Sequence, residues 1–306
     1  MEVKVNSAKS QVSQFAILTV LALWMLPALA QTVAIQHTVI ADGHPMALWE
    51  KSVAQPKGHI LLHHGRTWSS IPDFDLQVSG EDLSLMDGFN DRGYSAWALD
   101  ARGYGETPRD SSGWNTPNRA AQDLSIVLDW LRARNGETTH VWGWSYGSMV
   151  AQLCAQRYPQ AVASVTLFGY PTDPDAQIPQ SNSQSEPAAR PTTRAAAASD
   201  FIVPGSISQH AIDTYVTAAV KADPIRADWN QLHQWNALDG ALPTLLLQAE
   251  FDPLADTDAH ARFFAKIANP NKQWVVLPGG DHAALLETPR AKLIKSTIDF
   301  IEWLEH

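Results

Sequence analysis

The stretch Val141-Trp142-Gly143-Trp144-Ser145-Tyr146-Gly147 decides the fold of this 306-residue chain. It begins as an apolar run typical of a buried strand and continues, over residues 146 to 157, in a pattern typical of an amphipathic helix. A glycine stands two positions before Ser145 and another two positions after it, and glycine lets a strand and a helix approach closely. The stretch therefore predicts a sharp strand–turn–helix unit. The Ser145 hydroxyl would lie at the helix N-terminus, where the helix dipole favours negative charge.

Short apolar runs alternate with helical patterns on both sides of that unit. After a hairpin around Ala41-Asp42-Gly43, the predicted strands are His59–Leu62, Tyr94–Leu99, Val141–Gly143, Val162–Phe168, Leu245–Gln248 and Trp274–Leu277. The predicted helices are Leu83–Arg92, Arg119–Arg134, Tyr146–Arg157, Thr257–Ala268 and Pro289–Leu304. Strands that alternate with helices indicate crossover connections. The sequence therefore predicts an α/β fold with a doubly wound, mostly parallel sheet covered by helices on both faces.

This alternation breaks between about residues 171 and 236. Residues 172–200 are rich in Pro, Ser, Gln and Ala, and the following Ile207–Val220 has a helical pattern. The position of the break, between two predicted strands, predicts an inserted cap or lid over the carboxyl ends of the strands. A surface loop is the other interpretation of residues 172–200, although long loops without structure are uncommon in compact domains.

The first 30 residues have the pattern of a secretory signal peptide. Lys4 and Lys9 are followed by an almost unbroken apolar run, Phe15–Met25, and Ala28-Leu29-Ala30 forms a small-x-small cleavage site. The other interpretation is a membrane anchor, but the run is shorter than the roughly 20 residues that span a bilayer. We therefore expect an exported protein, periplasmic or secreted, with residues 31–306 as the mature domain and no stable membrane anchor after cleavage.

The net charge argues against one class of partner, and the cysteine content excludes one kind of cross-link. The net charge is -10, so the chain gains no electrostatic attraction to phosphate backbones, and we expect no nucleic-acid partner. The single cysteine, Cys154, excludes an internal disulfide. Cys154 lies in a helical pattern and is predicted to be a small buried apolar residue.

A serine hydroxyl needs a base to act as a nucleophile, and the chain offers one downstream. His282 follows the last predicted strand, and Asp252 follows the strand before it. Loops at the carboxyl ends of parallel strands gather at one edge of a sheet. The order Ser145, Asp252, His282 is the order in which one fold of serine hydrolases carries its catalytic triad.

With these residues, the chain resembles the α/β-hydrolase family, in its serine esterase and lipase branch, over nearly all of residues 31–306. Leu62-His63-His64-Gly65-Arg66 is similar to the family's His-Gly oxyanion turn, and Asp100-Ala101-Arg102-Gly103-Tyr104-Gly105 to its Asp-x-Arg-Gly-x-Gly turn. The resemblance implies a serine nucleophile, and an oxyanion hole formed by the backbone N–H groups of Arg66 and Tyr146. It also implies that no cofactor is needed and that the partner is a small-molecule ester or amide.

The sequence leaves alternatives for the acid of the triad and for the role of Arg102. The acid could be Asp173, after the Val162–Phe168 strand, or Glu250. Asp281, next to His282, is predicted to be a turn residue. Arg102 is predicted to brace its turn by hydrogen bonds, with a solvated surface arginine as the alternative.

Two adjacent histidines are candidate metal ligands. His63 and His64 are adjacent, so their side chains point apart in an extended strand. No second cluster of ligands accompanies them, and we predict no metal site; His64 is predicted to be a structural turn residue. Trp229, His233 and Trp235 are candidates for the pocket lining, or for the interior of the cap.

Three functions are consistent with this pattern. The first is hydrolysis of a carboxylic ester or lactone through an acyl-enzyme intermediate. The second is an amide or peptide hydrolase that resembles the proline iminopeptidases, in which acidic cap residues such as Asp173, Asp175 and Glu186 would bind a substrate amine. The third is a non-catalytic binding protein on the same scaffold. Fold alone does not choose among them.

Overall fold

A computed structural model describes Met1 and residues 33–66, 68–112, 115–175, 193–221 and 240–305. Within these residues the chain forms one eight-stranded sheet in the order β1-β2-β4-β3-β5-β6-β7-β8. The strands are β1 Ile35–Ala41, β2 His44–Lys51, β3 His59–His63, β4 Ser95–Leu99, β5 Thr139–Trp144, β6 Val162–Phe168, β7 Thr244–Ala249 and β8 Lys272–Leu277. Strands β1 and β2 pair antiparallel, β2 pairs antiparallel with β4, and all later pairings are parallel. The predicted α/β, mostly parallel sheet is confirmed.

Eight α-helices lie in the described part of the chain. They are α1 Ser70–Phe74, α2 Leu85–Asn90, α3 Pro117–Asn135, α4 Tyr146–Arg157, α5 Arg194–Ala198, α6 Gln209–Ala219, α7 Thr257–Lys266 and α8 Arg290–Leu304. Helix α3 begins earlier than predicted because Thr116 caps it, accepting from the Arg119 N–H, and Pro117 occupies its first turn. It ends at Gly136, which adopts a left-handed φ of 81°.

The sheet is buried on both faces, which is why its central strands are continuously apolar. Ile60 and Leu62 of β3 belong to one core with α2, α6 and α8, and the intervening Leu61 belongs to another with α3, α4 and α7. This alternation follows the two-residue period of a strand. Cys154 of α4 is fully buried in the second core, as predicted. The doubly wound arrangement is therefore confirmed at the level of side-chain packing.

The predicted signal peptide and the predicted cap lie in segments of which the structure describes only a part. The first 30 residues lie outside the described residues except for Met1. Of residues 171–236, the structure describes 171–175 and 193–221, which contain α5 and the predicted helix, observed as Gln209–Ala219. No helix among the described residues is long and apolar enough to cross a membrane. We call residues 193–221 the inserted segment, since they lie between β6 and β7.

The turn after β4 is braced by a buried arginine, as predicted. Arg102 donates from Nε and Nη2 to the two oxygens of Asp123 on α3, at 2.6 and 2.8 Å. Its Nη2 also donates to the Ala41 carbonyl at 3.0 Å, and its Nη1 to Asp110 at 3.2 Å. Arg102 and Asp123 are both almost fully buried. The pair therefore ties the end of β4 to α3 and to the first hairpin.

We expect Arg102→Leu to lower the free energy of unfolding by about 3–5 kcal/mol, because the Asp123 carboxylate would stay buried without its partner. Urea denaturation measures this change. Arg132→Leu is the control, since Arg132 forms an exposed pair with Asp129 and its loss costs at most about 1 kcal/mol. The double variant Arg102→Leu/Asp123→Leu is expected to recover part of the lost stability. A loss for Arg102→Leu no larger than that for Arg132→Leu would contradict the bracing role.

Candidate active site

Ser145 occupies a strained turn between β5 and α4. Its φ of 53° and ψ of −118° lie in a region that L-residues rarely adopt, at a cost of about 1–3 kcal/mol. A β-carbon on Gly143 would lie 2.4 Å from the Gly147 carbonyl oxygen, and one on Gly147 would lie 2.0 Å from the His63 carbonyl oxygen. Only glycine fits at both positions. The predicted strand–turn–helix unit is thus confirmed, and Ser145 is more accessible than the buried residues on either side of it.

Two loops that follow neighbouring strands bring a histidine and a carboxylate together. His282 follows β8 and Asp252 follows β7, and His282 Nδ1 lies 2.9 Å from Asp252 Oδ2. The Leu254 N–H donates to the other oxygen, Asp252 Oδ1, at 2.9 Å. The Asp252 carboxylate accepts the Nδ1 proton, so Nε2 is the imidazole nitrogen left to act as a base. His282 and Asp252 are both buried.

Charges around His282 favour its protonated form. Burial lowers the pKa of His282, but the hydrogen bond and charge of Asp252 raise it, and so do the charges of Asp200 and Asp281. The net direction is upward from the ordinary value of 6.5. Asp200 belongs to the inserted segment, and burial raises its own pKa to about 6 although the His282 charge opposes the rise. The site therefore stabilises an imidazolium.

The loop that carries His282 is held by hydrogen bonds on two sides. Trp144, next to Ser145, is fully buried, and its indole Nε1 donates to the His282 carbonyl oxygen at 2.8 Å. Asp281 accepts the Ala283 N–H at 2.8 Å, which is the predicted turn contact. Asp281 Oδ2 also accepts the N–H groups of Ile202 and Val203, the latter at 2.9 Å. The inserted segment is thus attached directly to the loop that carries His282.

The turn after β3 is fixed by its own histidine. The Ala101 N–H donates to His64 Nε2 at 3.0 Å, so His64 carries its proton on Nδ1 and donates to the Gly65 carbonyl oxygen at 2.7 Å. Burial lowers the pKa of His64 to about 4, which keeps the ring neutral. His64 is therefore the structural turn residue that the sequence predicted. Among the described residues, no group of three or more His, Cys, Asp or Glu side chains is arranged to hold a metal.

Comparison with known proteins assigns the chain to a family. A family model described as serine aminopeptidase S33 matches residues 54–289, which is most of the chain. The chain belongs to this α/β-hydrolase family. No curated protein shows significant sequence similarity to it.

Solved structures of several α/β-hydrolases are similar in fold. A serine hydrolase involved in carbazole degradation (CarC) is 16% identical, with a TM-score of 0.64, and the match covers 89% of this chain and 100% of that one. The thioesterase domain from the curacin biosynthetic pathway is 16% identical with a TM-score of 0.64, covering 87% and 100%. Carboxylesterase CesB from Bacillus subtilis is 16% identical with a TM-score of 0.62, covering 89% and 92%. At such identities the likeness concerns the fold.

In this S33 family member, Asp252 is the carboxylate in contact with His282. Asp173 instead pairs with Arg262 of α7 at 2.8 Å, near the surface. Glu250 is exposed and accepts the Gly279 N–H at 2.8 Å. Trp229, His233 and Trp235 lie outside the described residues, so their predicted place in the pocket stays a prediction.

Gly169 is a site residue that sequence reasoning missed. It follows β6 with a φ of 57°, and a β-carbon there would lie 2.9 Å from His282 Cε1 and 3.3 Å from Asp252 Oδ2. Its position directly after a predicted strand was the available signal. The His282–Asp252 pair therefore rests against a backbone position that must be glycine.

We expect Gly169→Ala to lower the pKa of His282, because the added methyl group pushes the ring away from Asp252 and weakens the contact that raises that pKa. An NMR titration of the imidazole Cε1–H resonance, assigned with His282→Gln, measures the change. Gly136→Ala is the matched control: Gly136 also has a positive φ, of 81°, but open space where its β-carbon would be. Both variants carry a similar backbone strain of about 1–2 kcal/mol. An unchanged His282 pKa in Gly169→Ala would show that the ring is not held there.

Proposed function

We propose that this protein is a serine hydrolase that cleaves carboxylic esters through an acyl-enzyme intermediate. The observation that carries the proposal is the 2.9 Å contact between His282 Nδ1 and Asp252 Oδ2, at the sheet edge that also presents Ser145 on its strained turn. In this proposal Ser145 is the nucleophile, His282 the general base and Asp252 the acid that orients it. The three-residue order in the chain supports the same assignment.

The reaction follows from these positions. His282 Nε2 takes the Ser145 proton as the oxygen attacks the ester carbonyl, and Asp252 stabilises the resulting imidazolium. The imidazolium then gives its proton to the leaving alcohol, which departs as the acyl–Ser145 ester forms. Water, deprotonated by His282, repeats the sequence and releases the acid. The raised pKa of His282 suits a group that must hold a proton during both steps.

The proposed oxyanion hole consists of the backbone N–H groups of Arg66 and Tyr146. Tyr146 begins α4, so its N–H lies at the positive end of the helix dipole. Arg66 follows Gly65, whose carbonyl is held by His64. Each donor of this kind contributes roughly 2.7–4 kcal/mol to stabilising the transition state in serine hydrolases.

Amide hydrolysis is the second candidate, and the description of the family as serine aminopeptidases favours it. A free substrate amine would need an unpaired acid near the site. Asp173 is occupied by Arg262, and Asp175 by Arg262 and Lys266. Glu186 lies outside the described residues. The esterase and thioesterase folds among the similar structures favour the ester.

The location of the protein and the role of the inserted segment are also proposals. We propose that residues 1–30 direct export to the periplasm or beyond and are removed, so that the mature chain begins at Gln31. We propose that the inserted segment acts as a cap, because it attaches to Asp281 beside His282 and, through Tyr215, to Asp73 of α1. A small-molecule ester would bind beneath it.

We expect the purified protein to hydrolyse a short aryl ester, with kcat/KM rising with pH through a midpoint above 6.5. The rate rises with pH because only neutral His282 acts as a base. Since the pKa of His282 is raised, neutral His282 forms at a higher pH. Asp252→Asn removes the charge and hydrogen bond that raise this pKa, so the midpoint moves down. The plateau rate falls by up to about 10⁴-fold because the Asn amide can donate to Nδ1, which leaves the proton on Nε2 and removes the base. Initial rates of ester hydrolysis measured across a pH series give both the midpoint and the plateau of kcat/KM.

Ser145→Ala is the control, and it is expected to remove turnover of the aryl ester at every pH. An aminoacyl anilide, assayed in parallel, separates the two candidate functions. Turnover of the anilide but not the ester would favour the amide hydrolase. Turnover of neither, or turnover that survives in Ser145→Ala, would contradict the serine hydrolase proposal.

A further inference from the structure

The peptide unit between Gly65 and Arg66 is held by a hydrogen bond to its carbonyl oxygen. His64 Nδ1–H donates to the Gly65 oxygen at 2.7 Å, and the Ala101 N–H fixes the tautomer of His64 by donating to its Nε2. In a planar trans peptide the N–H points opposite to the C=O. The direction of the Arg66 N–H, one of the two proposed oxyanion donors, is therefore set by the orientation of the Gly65 carbonyl.

The preceding peptide is held by a buried carboxyl group. The Gly65 N–H donates to Asp73 Oδ2 at 3.2 Å, and Asp73 of α1 is fully buried. Burial raises the pKa of Asp73 well above its usual range, and the charges of Asp200 and Asp100 raise it further, while the hydrogen bonds from Gly65 and Tyr215 oppose the rise. A neutral carboxyl group still offers an oxygen to the Gly65 N–H. The two peptides that form the turn share the Gly65 α-carbon, and each is held by a buried side chain, one by His64 and one by Asp73.

The other oxygen of Asp73 connects this turn to the inserted segment. The hydroxyl of Tyr215, on α6, donates to Asp73 Oδ1 at 3.2 Å. Tyr215 is fully buried, with its ring 5.9 Å from that of Trp68 and 5.2 Å from that of Phe201. These packing contacts hold the phenol in place. A continuous chain of hydrogen bonds therefore runs from α6 through Asp73 to Gly65.

We propose that Asp73 and Tyr215 are positioning residues for the oxyanion hole. Tyr215 holds the Asp73 carboxyl group, Asp73 holds the Gly65 N–H, and the turn then presents the Arg66 N–H towards the substrate carbonyl. Because Tyr215 belongs to the inserted segment, the position of α6 and the orientation of the Arg66 N–H are coupled. The inference rests on the proposed acyl transfer, since it concerns the same site.

Tyr215→Phe tests the hydrogen bonds between Tyr215, Asp73 and Gly65 with the smallest change, because it removes one hydroxyl and keeps the buried ring. We expect kcat for a short aryl ester to fall about threefold to tenfold, the effect of losing one hydrogen bond that acts in the transition state, with KM within about twofold. Tyr94→Phe is the matched control. Tyr94 is also fully buried, its hydroxyl has no hydrogen-bond partner in the described part of the chain, and both kinetic constants are expected to stay at the wild-type values.

Two Asp73 variants separate positioning from a merely structural contact. Asp73→Leu removes the acceptor and is expected to lower kcat more than Tyr215→Phe does. Asp73→Asn keeps an oxygen for the Gly65 N–H and an NH₂ group for the Tyr215 oxygen, so it is expected to retain more of kcat than Asp73→Leu. If Asp73→Leu does not fold, as thermal unfolding would reveal, Tyr215→Phe alone carries the test.

Amide hydrogen exchange provides a readout that does not depend on turnover. We expect the exchange rate of the Gly65 N–H to rise in Tyr215→Phe and to stay unchanged in Tyr94→Phe. Wild-type kcat together with wild-type Gly65 exchange in Tyr215→Phe would overturn the inference. If the wild-type protein hydrolyses no ester, the proposed function fails, and the Gly65 exchange rate still decides whether Tyr215 holds the turn.

Discussion

The first turn of α4 lies against the carboxyl ends of β3 and β5 at backbone contact distance, and the rest of the site depends on this approach. A β-carbon at Gly147 would overlap the His63 carbonyl oxygen at 2.0 Å, and one at Gly143 would overlap Gly147. The same approach forces Ser145 to a φ of 53° and presents its side chain at the start of the helix. Two buried cores, one on each face of the sheet, hold the strands and helix in this arrangement.

Around that turn, buried polar groups connect segments that are distant in sequence. Trp144 holds the carbonyl of His282, Asp281 holds the inserted segment, and Asp73 joins the turn after β3 to Tyr215. Each of these groups is buried, so leaving any one unsatisfied would cost about 1–3 kcal/mol. The network therefore favours one relative position for the loops after β3 and β8. The position of the inserted segment is part of the same network.

The sequence predicts those features that arise from local chemistry. The glycines around Ser145 are recognisable because their constraint lies within one strand–turn–helix unit, and Asp252 and His282 are recognisable because each directly follows a strand. The constraint on Gly169 comes from His282, and the partner of Asp73 is Tyr215, 142 positions away. Such pairings depend on tertiary packing, and the position of Gly169 directly after a predicted strand does not by itself reveal which side chain packs against it. Trp229, His233 and Trp235, predicted to line the pocket or the interior of the cap, lie outside the described residues and stay predictions.

The proposed function depends on activation of Ser145 by the His282–Asp252 pair. Reaction with a fluorophosphonate, followed by peptide mapping by mass spectrometry, tests it most directly, because the reagent modifies an activated serine and the map identifies which one. We expect a single adduct on the peptide that contains Ser145, and a rate of labelling that falls strongly in His282→Gln, with the fold of this variant checked by its melting temperature. A folded wild-type protein that gains no adduct, or an adduct on another serine, would contradict the claim.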